Sequence, residues 1–136
     1  MPLHRAIYVS DAVGDAATSL LVLAEILGES ERNNRRDGRT GAMMRHQGQF
    51  LQVIEGRRSD IDRLLDRLRA DPRHQNLRLL SDQDVASRLF PECLMMLTQL
   101  TPDAARLLGG ARLDQLGADR AEALLVLAAG ALPLPA

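Results

Sequence analysis

The sequence predicts an α+β fold in which a mainly antiparallel sheet carries two helices on one face and C-terminal helices on the other. Apolar segments with the periods of strands and helices follow one another in the order β-α-β-β-α-β-β, which is the ferredoxin-like arrangement. The first strand is apolar on both faces, so both faces of the sheet need a cover. We therefore expect one sheet domain over residues 1–100 and a C-terminal helical extension over residues 101–136 that packs on the sheet.

Composition and charge restrict the classes of function and the cellular setting. The 17 basic and 18 acidic residues give a net charge of −1, which argues against general nucleic-acid binding and against attraction to acidic membranes. All basic residues are arginine, so Schiff-base chemistry on lysine is excluded. The single cysteine, Cys93, excludes an internal disulfide and a cysteine zinc site and fits a reducing compartment. With neither a leader nor an apolar run of membrane-spanning length, we expect a cytoplasmic protein.

The first strand is predicted over residues 3–10, a run of β-branched and aromatic side chains. Alternation places Ile7 and Val9 on one face and Ala6 and Tyr8 on the other. Tyr8 is the only tyrosine in the chain, and there is no tryptophan. If a side chain of this protein exchanges an electron with a cofactor, Tyr8 is therefore the first candidate.

The first helix is predicted over about residues 15–29, where leucines and other aliphatic residues recur at helical spacing. Asp11 or Asp15 could cap its start. Residues 30–38 are polar and close with an Asp-Gly pair, which indicates a turn. We expect this polar stretch to be a loop.

A β-hairpin is predicted over residues 40–45 and 50–54, joined by a Gln-Gly turn at 47–48. Gln52 shares a face with Phe50 in the second of these strands, so its amide lies among apolar neighbours. A buried amide needs a polar partner, because leaving its donor and acceptor without one costs free energy. Gln52 therefore indicates a polar contact inside the domain.

The second helix has the clearest pattern. Ser59 and Asp62 form a capping pattern, and from Ile61 onwards apolar residues follow at i, i+3, i+4 and i+7. The helix is predicted to stop before Asp71-Pro72, because the residue before a proline avoids helical geometry.

Two further strands and two tail helices complete the predicted fold. A short strand is expected over residues 77–80, with a possible extension to Val85, and a mostly apolar strand in the centre of the sheet over residues 93–100. Thr101, followed by a proline, opens the first tail helix. The second tail helix is predicted over about residues 119–129.

Several segments together resemble one family. They are Tyr8-Val9-Ser10, SERNNRRDGRTG, GQFLQVIEG, DPRH and RLFPECLMML, which run in unbroken order between residues 3 and 100. No single segment is decisive, but their spacing and the order of strands and helices are together highly specific. They resemble the BLUF domains, which are blue-light sensors that use FAD, and the resemblance covers the predicted sheet domain.

The resemblance implies a flavin, FAD or FMN in the same pocket, lying between the first two helices. Ile26 and Leu68 would flank its ring. Asn34 would bond the N3–H and C4=O groups of the pyrimidine edge, since a side-chain amide can both donate and accept. Gln52 would lie between Tyr8 and the N5/O4 region of the flavin.

Other positions carry over less firmly. Asn33, Arg67 and Arg73 would contact the ring edge or the phosphate-bearing tail, and His74 falls at a family position near the flavin without a defined role. The resemblance also implies a light-driven switch in which Tyr8 gives an electron and then a proton through Gln52. The Gln52 amide then rotates or changes tautomer and strengthens a bond to the flavin C4=O. No substrate is turned over, so an enzyme is not predicted.

Two departures from the family pattern concern the site. Cys93 stands where the family often has tryptophan, which leaves Tyr8 without a competing electron donor, while Met95 is retained as a weak acceptor for Gln52. We expect these two residues to take part in signalling. Arg39 replaces the apolar residue of the usual Gly-Ile-Thr-Gly pattern and either points outward or disturbs the pocket. No effector domain is expected within the chain, so the output requires an unidentified partner protein, self-association into a homo-oligomer, or both.

Each of these residues taken alone has a simpler interpretation. Tyr8 would be a half-buried strand tyrosine, Gln52 an edge amide bonded to backbone, and Asn34 part of a turn. A second hypothesis for the whole chain is a protein interaction module on the same fold that has lost flavin or light response. A hydrolase is disfavoured, because no nucleophile with a base, phosphate-binding glycine loop or metal-ligand cluster is found.

Overall fold

The structure is a computed structural model that describes residues 3–14 and 19–130. Five strands form one mixed sheet, in the spatial order β4-β1-β3-β2-β5. The strands are β1 Leu3–Ala12, β2 Thr40–His46, β3 Gln49–Gly56, β4 His74–Val85 and β5 Met96–Leu97. All neighbours pair antiparallel except β5, which runs parallel to β2 at the edge. The predicted α+β, ferredoxin-like fold is confirmed.

Helices cover both faces of the sheet. They are α1 Leu20–Asp37, α2 Arg58–Arg69, α3 Pro102–Leu108 and α4 Ala118–Gly130, with a short 3₁₀ helix at Leu113–Gln115. α1 and α2 pack on one face, and α3, α4 and the 3₁₀ helix pack on the other. None of the helices in the described ranges is long and apolar enough to span a membrane.

The alternation predicted for β1 and β3 separates two cores. Ile7 and Val9 lie in the core that contacts the C-terminal helices, whereas Tyr8 and Ile54 pack under α2. Phe50 lies on the α1 side of the sheet together with Leu23 and Met43. The pattern that required two covers for the first strand is therefore confirmed.

The first helix is longer than predicted. α1 ends at Asp37, so the asparagines and arginines expected in a loop form its last turns. Arg35 and Arg36 lie in the final turn, where positive charge interacts favourably with the helix dipole. The predicted Asp-Gly turn is the end of the helix: Gly38 is left-handed, with φ of 67°, and its N–H bonds the Asn34 carbonyl.

The start of α1 also differs from the prediction. Ser19 is the N-cap, and its hydroxyl accepts a hydrogen bond of 3.2 Å from the Val22 N–H. Asp15, the predicted first residue, lies outside the described residues. Asp11 is instead the penultimate residue of β1, where it accepts a hydrogen bond from Gln49.

The predicted central strand over residues 93–100 is wrong. Only Met96 and Leu97 pair, and they do so at the edge of the sheet, against β2. The sequence of residues 93–100 resembles a buried strand because its apolar side chains pack into the cores on both faces of the sheet. Met96 packs with the C-terminal helices and Met95 with α1 and α2. Helices cover both faces of the sheet at its β5 edge. An edge strand there can therefore be buried on both faces, as a central strand would be.

The remaining elements follow the prediction with shifted ends. The hairpin turn at 47–48 is confirmed, with positive φ at both residues. α2 begins at Arg58, and Ser59 lies within its first turn instead of capping it. β4 is longer than expected and shifts register against β1. Thr101 caps α3 as predicted, accepting from the Ala104 N–H at 3.2 Å.

Candidate functional site

A cleft opens between α1 and α2 above β2 and β3. Its apolar walls come from Ile26, Met43, Phe50, Leu64 and Leu68. The other residues that line it are polar, namely Glu29, Ser30, Asn33, Gln52, Arg67, Asp71, Arg73 and His74. Apolar walls with polar groups set among them are typical of a site for a flat organic molecule.

Gln52 is the polar residue at the floor of this cleft. On β3 it pairs with Tyr8 of β1 on one side and with Met43 of β2 on the other. Its Nε2 donates to the Met95 sulfur at 3.8 Å, which is a weak hydrogen bond. Among the residues that the structure describes, this weak contact is the one side-chain hydrogen bond of the amide, so Gln52 can change its hydrogen bonding at small cost.

Tyr8 is buried next to Gln52 and keeps its proton. Its side chain is 1% exposed, and its hydroxyl meets no hydrogen-bond partner among the residues described. Burial raises the pKa of the phenol well above its ordinary value, and the positive charge of Arg39 opposes this shift only in part. A buried hydroxyl without a bond is uncommon in folded proteins and requires an explanation, of which a redox role is one.

The two adjacent asparagines have different positions. Asn33 lines the cleft, whereas Asn34 is buried behind it. The Asn34 Nδ2 donates to the Leu94 carbonyl, and its Oδ1 accepts from the Arg39 Nε at 3.0 Å. Both ends of the Asn34 amide therefore have protein partners, and its assignment to a flavin edge stays a prediction.

The charged rim of the cleft is internally paired. Arg73 donates to Asp71 and to Glu29, each at 2.6 Å. Burial alone would raise the pKa of the Asp71 carboxyl, but the hydrogen bonds and the charge of Arg73 together outweigh burial and lower it. Arg67 lies on the same rim and is exposed. An anionic group at this end of the cleft would compete with these carboxylates for Arg73.

His74 forms one end of the cleft. Its Nδ1 shares a hydrogen bond of 2.8 Å with the Ser10 hydroxyl, and its ring meets Phe50 edge-on at 6.5 Å between centroids. Its Nε2 is buried and finds no partner within the described part of the chain. Burial lowers the pKa of His74, which favours the neutral ring.

Cys93 and Met95 lie on different sides of the sheet. Met95 packs with α1 and α2 and contacts Gln52, while Cys93 packs with the core under the C-terminal helices. The Cys93 carbonyl accepts from the Gly41 N–H at 2.9 Å. The short segment between them therefore links the cleft to the opposite face.

Sequence reasoning missed part of the cleft, although a signal was present. On α1 the lining residues follow Ile26 at i+3, i+4 and i+7, and on α2 they follow Leu64 at i+3 and i+4, with Asp71 just beyond the end of that helix. Projecting one helical face from Ile26 and Leu68 finds Glu29, Ser30, Asn33 and Leu64. Across the ranges that the structure describes, no group of three or more His, Cys, Asp or Glu side chains could hold a metal ion.

Comparison with known proteins identifies the family to which this architecture corresponds. The family model described as BLUF, "Sensors of blue-light using FAD", matches residues 3–96. The photoactivated adenylate cyclase subunit beta of Euglena longa is 32% identical over 88 residues, which are 65% of this chain and 10% of that protein. The chain thus spans about a tenth of the length of the curated relatives it matches.

Solved structures of similar size match nearly the whole chain. The dark-state structure of BlrB, described as a BLUF protein, is 31% identical with a TM-score of 0.76 and covers 95% of this chain and 97% of that chain. The photo-activated state of BlsA has a TM-score of 0.88 and covers 98% of this chain and 99% of that chain. Its identity is 21%, so this second likeness concerns the fold alone.

Proposed function

This chain belongs to the BLUF family, the sensors of blue light using FAD, and we propose that it is a photoreceptor with a flavin in the cleft between α1 and α2. The observation that carries the proposal is the pairing of Tyr8 with Gln52 across two strands. Tyr8 supplies a buried hydroxyl that has no hydrogen-bond partner among the described residues, and Gln52 supplies a weakly bonded amide at the floor of the cleft.

The chemistry of the cleft fits a flavin. Ile26 and Leu68 offer apolar surfaces to the two faces of a flat ring, and Gln52 offers an amide to its polar edge. The buried Nε2 of His74 is one more polar atom at the site that finds no partner in the described ranges. Arg67 and Arg73 at the rim can pair with the phosphates of FAD or FMN, since an arginine fork binds phosphate well.

The proposed switch uses two residues of this chain. When bound, the flavin supplies the absorption of blue light and an acceptor for an electron. Tyr8 would give up an electron to that acceptor and its phenolic proton through the neighbouring Gln52, and both would return to Tyr8 within the cycle, so that Tyr8 ends in its original neutral form. Gln52 then adopts a second hydrogen-bonded arrangement, by rotation or by a change of tautomer. The weak contact from Nε2 to the Met95 sulfur is broken or exchanged in that step.

The signal then leaves through the segment that joins Met95 to Cys93. Met95 senses the amide of Gln52, and Cys93 contacts the core under the C-terminal helices. We propose that residues 1–100 sense light, that residues 101–136 present the response to a partner protein or to a second copy of the chain, and that no substrate is turned over. Some relatives are named as photoactivated adenylate cyclase subunits, so an adenylate cyclase is one class of partner with which this proposal can be tested.

Binding in the cleft can be tested with a matched pair of tryptophan substitutions. Leu68→Trp fills the space between the helices, whereas Leu127→Trp places the same ring on the exposed side of α4. FAD at about a hundredfold excess over Kd should stabilise the unaltered chain and Leu127→Trp by about 2.7 kcal/mol. Leu68→Trp should gain nothing, and equal stabilisation of all three proteins would contradict this placement.

Arg39 favours the second hypothesis, a light-insensitive interaction module on the same fold. Its guanidinium is buried beside Asn34, where the family pattern has an apolar residue. A folded, colourless chain that gains no thermal stability from FAD or FMN would support this hypothesis. A chain that binds flavin in the cleft and shifts its flavin band after blue light would exclude it.

A further inference from the structure

Arg39 is the largest side chain that the fold buries completely. It is 0% exposed, and its guanidinium lies between α1 and α2. Gly56 makes room for it, because a Cβ at Gly56 would approach the Arg39 Cγ to 3.2 Å. Of the two expectations for Arg39, the outward orientation is therefore wrong. The side chain is buried because Gly56 leaves space for it and because it has three polar partners.

The three partners hold two of the three guanidinium nitrogens. Nε donates to the Asn34 Oδ1 at 3.0 Å, and Nη1 donates to the Asp60 carbonyl at 2.8 Å and pairs with the Asp37 carboxylate at 3.1 Å. The hydrogen bond from Arg36, together with the charge of Arg39, keeps the pKa of Asp37 low, at about 2, so this counter-ion stays charged. Nη2 is buried and has no partner in the part of the chain that the structure describes.

This arrangement fixes the orientation of the Asn34 amide. A guanidinium can only donate hydrogen bonds, so the atom that faces Arg39 must be the amide oxygen. The amide nitrogen then faces the Leu94 carbonyl, one residue before Met95. An apolar side chain at position 39 would leave the orientation of the amide to the Leu94 carbonyl alone.

We propose that Arg39 is a positioning residue of the light-sensing site, which locks the Asn34 amide in one orientation and places a buried positive charge beside the flavin edge that Asn34 binds. The part that concerns the flavin rests on the proposed function. The locked amide keeps its second N–H and the second lone pair of Oδ1 available, so Asn34 can still serve a flavin. A cation beside that edge stabilises the negative charge that reduction of the flavin adds.

Three variants separate the positioning role of Arg39 from its electrostatic role. Arg39→Met removes the charge and the donors while keeping a flexible side chain of similar length. Arg39→Lys keeps the charge but lacks the planar fork. Arg36→Met is the matched control, because Arg36 is exposed and also pairs with Asp37.

The first measurement needs no flavin. The chain has three asparagines, Asn33, Asn34 and Asn76, so selective ¹⁵N-asparagine labelling gives three side-chain amide signals. In the unaltered chain and Arg36→Met, the Asn34 amide protons should exchange slowly with solvent. In Arg39→Met they should exchange about tenfold faster, which corresponds to about 1.4 kcal/mol. Unchanged exchange in Arg39→Met would overturn the positioning role.

The second measurement is the reduction potential of the bound flavin. Arg39→Met should shift it to more negative values, while Arg39→Lys and Arg36→Met should stay close to the unaltered chain. A potential that does not move in Arg39→Met overturns the electrostatic role. If the unaltered chain binds no flavin, the proposed function fails, and with it the part of the proposal that concerns the flavin edge. The amide exchange of Asn34 still decides whether Arg39 positions it.

Discussion

At the scale of single residues, the site depends on Gln52, a polar side chain whose hydrogen bonding contributes little to the stability of the fold. Its amide makes a weak bond of 3.8 Å to a sulfur and is otherwise set among apolar neighbours. A residue kept for stability would be expected to make stronger bonds. Gln49, on the same strand, does so: its amide bonds the Asp11 carboxylate at 3.0 Å and the Asp114 N–H at 3.3 Å.

This contrast gives a paired prediction for two buried glutamines. Gln52→Leu should change the free energy of unfolding of the flavin-free chain by less than about 1 kcal/mol and abolish the light response. Gln49→Leu should cost about 1–3 kcal/mol, because it removes one donor from the half-buried Asp11 carboxylate and the acceptor of the half-buried Asp114 N–H, and should keep the light response. Urea unfolding and light-induced absorption changes measure the two effects. A reversed pattern would mean that the roles are assigned to the wrong residues.

His4 gives the stability of the chain a pH dependence. Its buried ring bonds Asp84 at 3.0 Å and also contacts Asp82. Burial alone would lower its pKa, but the two carboxylates outweigh burial and raise it above 6.5. A raised pKa means that the folded state binds the proton more tightly, so the stabilisation is complete below pH 6.5 and is lost as pH rises through the folded-state pKa.

Comparison with His4→Gln isolates that contribution. The difference in unfolding free energy between the unaltered chain and His4→Gln should be largest at acidic pH and shrink as pH rises above 6.5. His74 should act in the opposite sense, because burial lowers its pKa and stability is lost when pH falls. A difference for His4→Gln that grows with pH would contradict the assigned contacts.

At the scale of elements, periodicity predicted the faces of β1, the hairpin and both tail helices. It did not find the last turns of α1 or the edge position of β5. Most residues around Asn34 are exposed to solvent at the end of α1, and polarity alone does not distinguish an exposed helix end from a loop. In the Met95–Met96 segment the two faces of the sheet are both covered, so the apolar pattern carries no information about edge or centre.

One buried carboxylate joins several elements on the side of the C-terminal helices. Glu55 on β3 is 0% exposed and accepts from the Arg5 Nε at 2.9 Å and from the Leu89 and Phe90 N–H groups. Arg5 also lies 3.5 Å from Glu122 on α4. This group therefore ties β1, β3 and α4 to the loop that leads to Cys93.

Breaking this group should loosen the fold strongly. Glu55→Gln leaves the buried Arg5 without its main counter-charge, so we expect a loss of about 3–5 kcal/mol in the free energy of unfolding. Glu122→Gln removes the more exposed and more distant carboxylate and should cost less than about 1 kcal/mol. Chemical denaturation measures both, and equal effects would show that Glu55 does not hold the network.

At the scale of the whole molecule, one sheet separates the cleft between α1 and α2 from the surface of the C-terminal helices. Val126 and Leu127 on α4 are 43% and 38% exposed, which leaves apolar side chains on that surface. The segment from Cys93 to Met95 runs past the sheet edge and contacts both sides. This arrangement supports the proposal that a partner or a second copy of the chain reads the state of Gln52 from the opposite face.

The resemblance in sequence anticipated the cleft residues better than composition or periodicity did. Ile26, Asn33, Gln52, Leu68 and His74 all line the cleft. The burial of Arg39 could not be predicted from the sequence, because it depends on the space at Gly56 and on the Asp60 carbonyl, which are brought to Arg39 by the tertiary fold. Sequence spacing carries no information about such contacts.

The most direct test of the account is the absorption spectrum of the FAD-loaded chain before and after blue light, measured beside Tyr8→Phe. Tyr8 is the only tyrosine and there is no tryptophan, so the substitution removes the one aromatic donor of these types. The unaltered chain should shift its flavin band to the red and recover in the dark, while Tyr8→Phe should bind flavin without any shift. An unaltered chain that binds flavin but does not shift, or a Tyr8→Phe chain that shifts normally, would contradict the proposed switch.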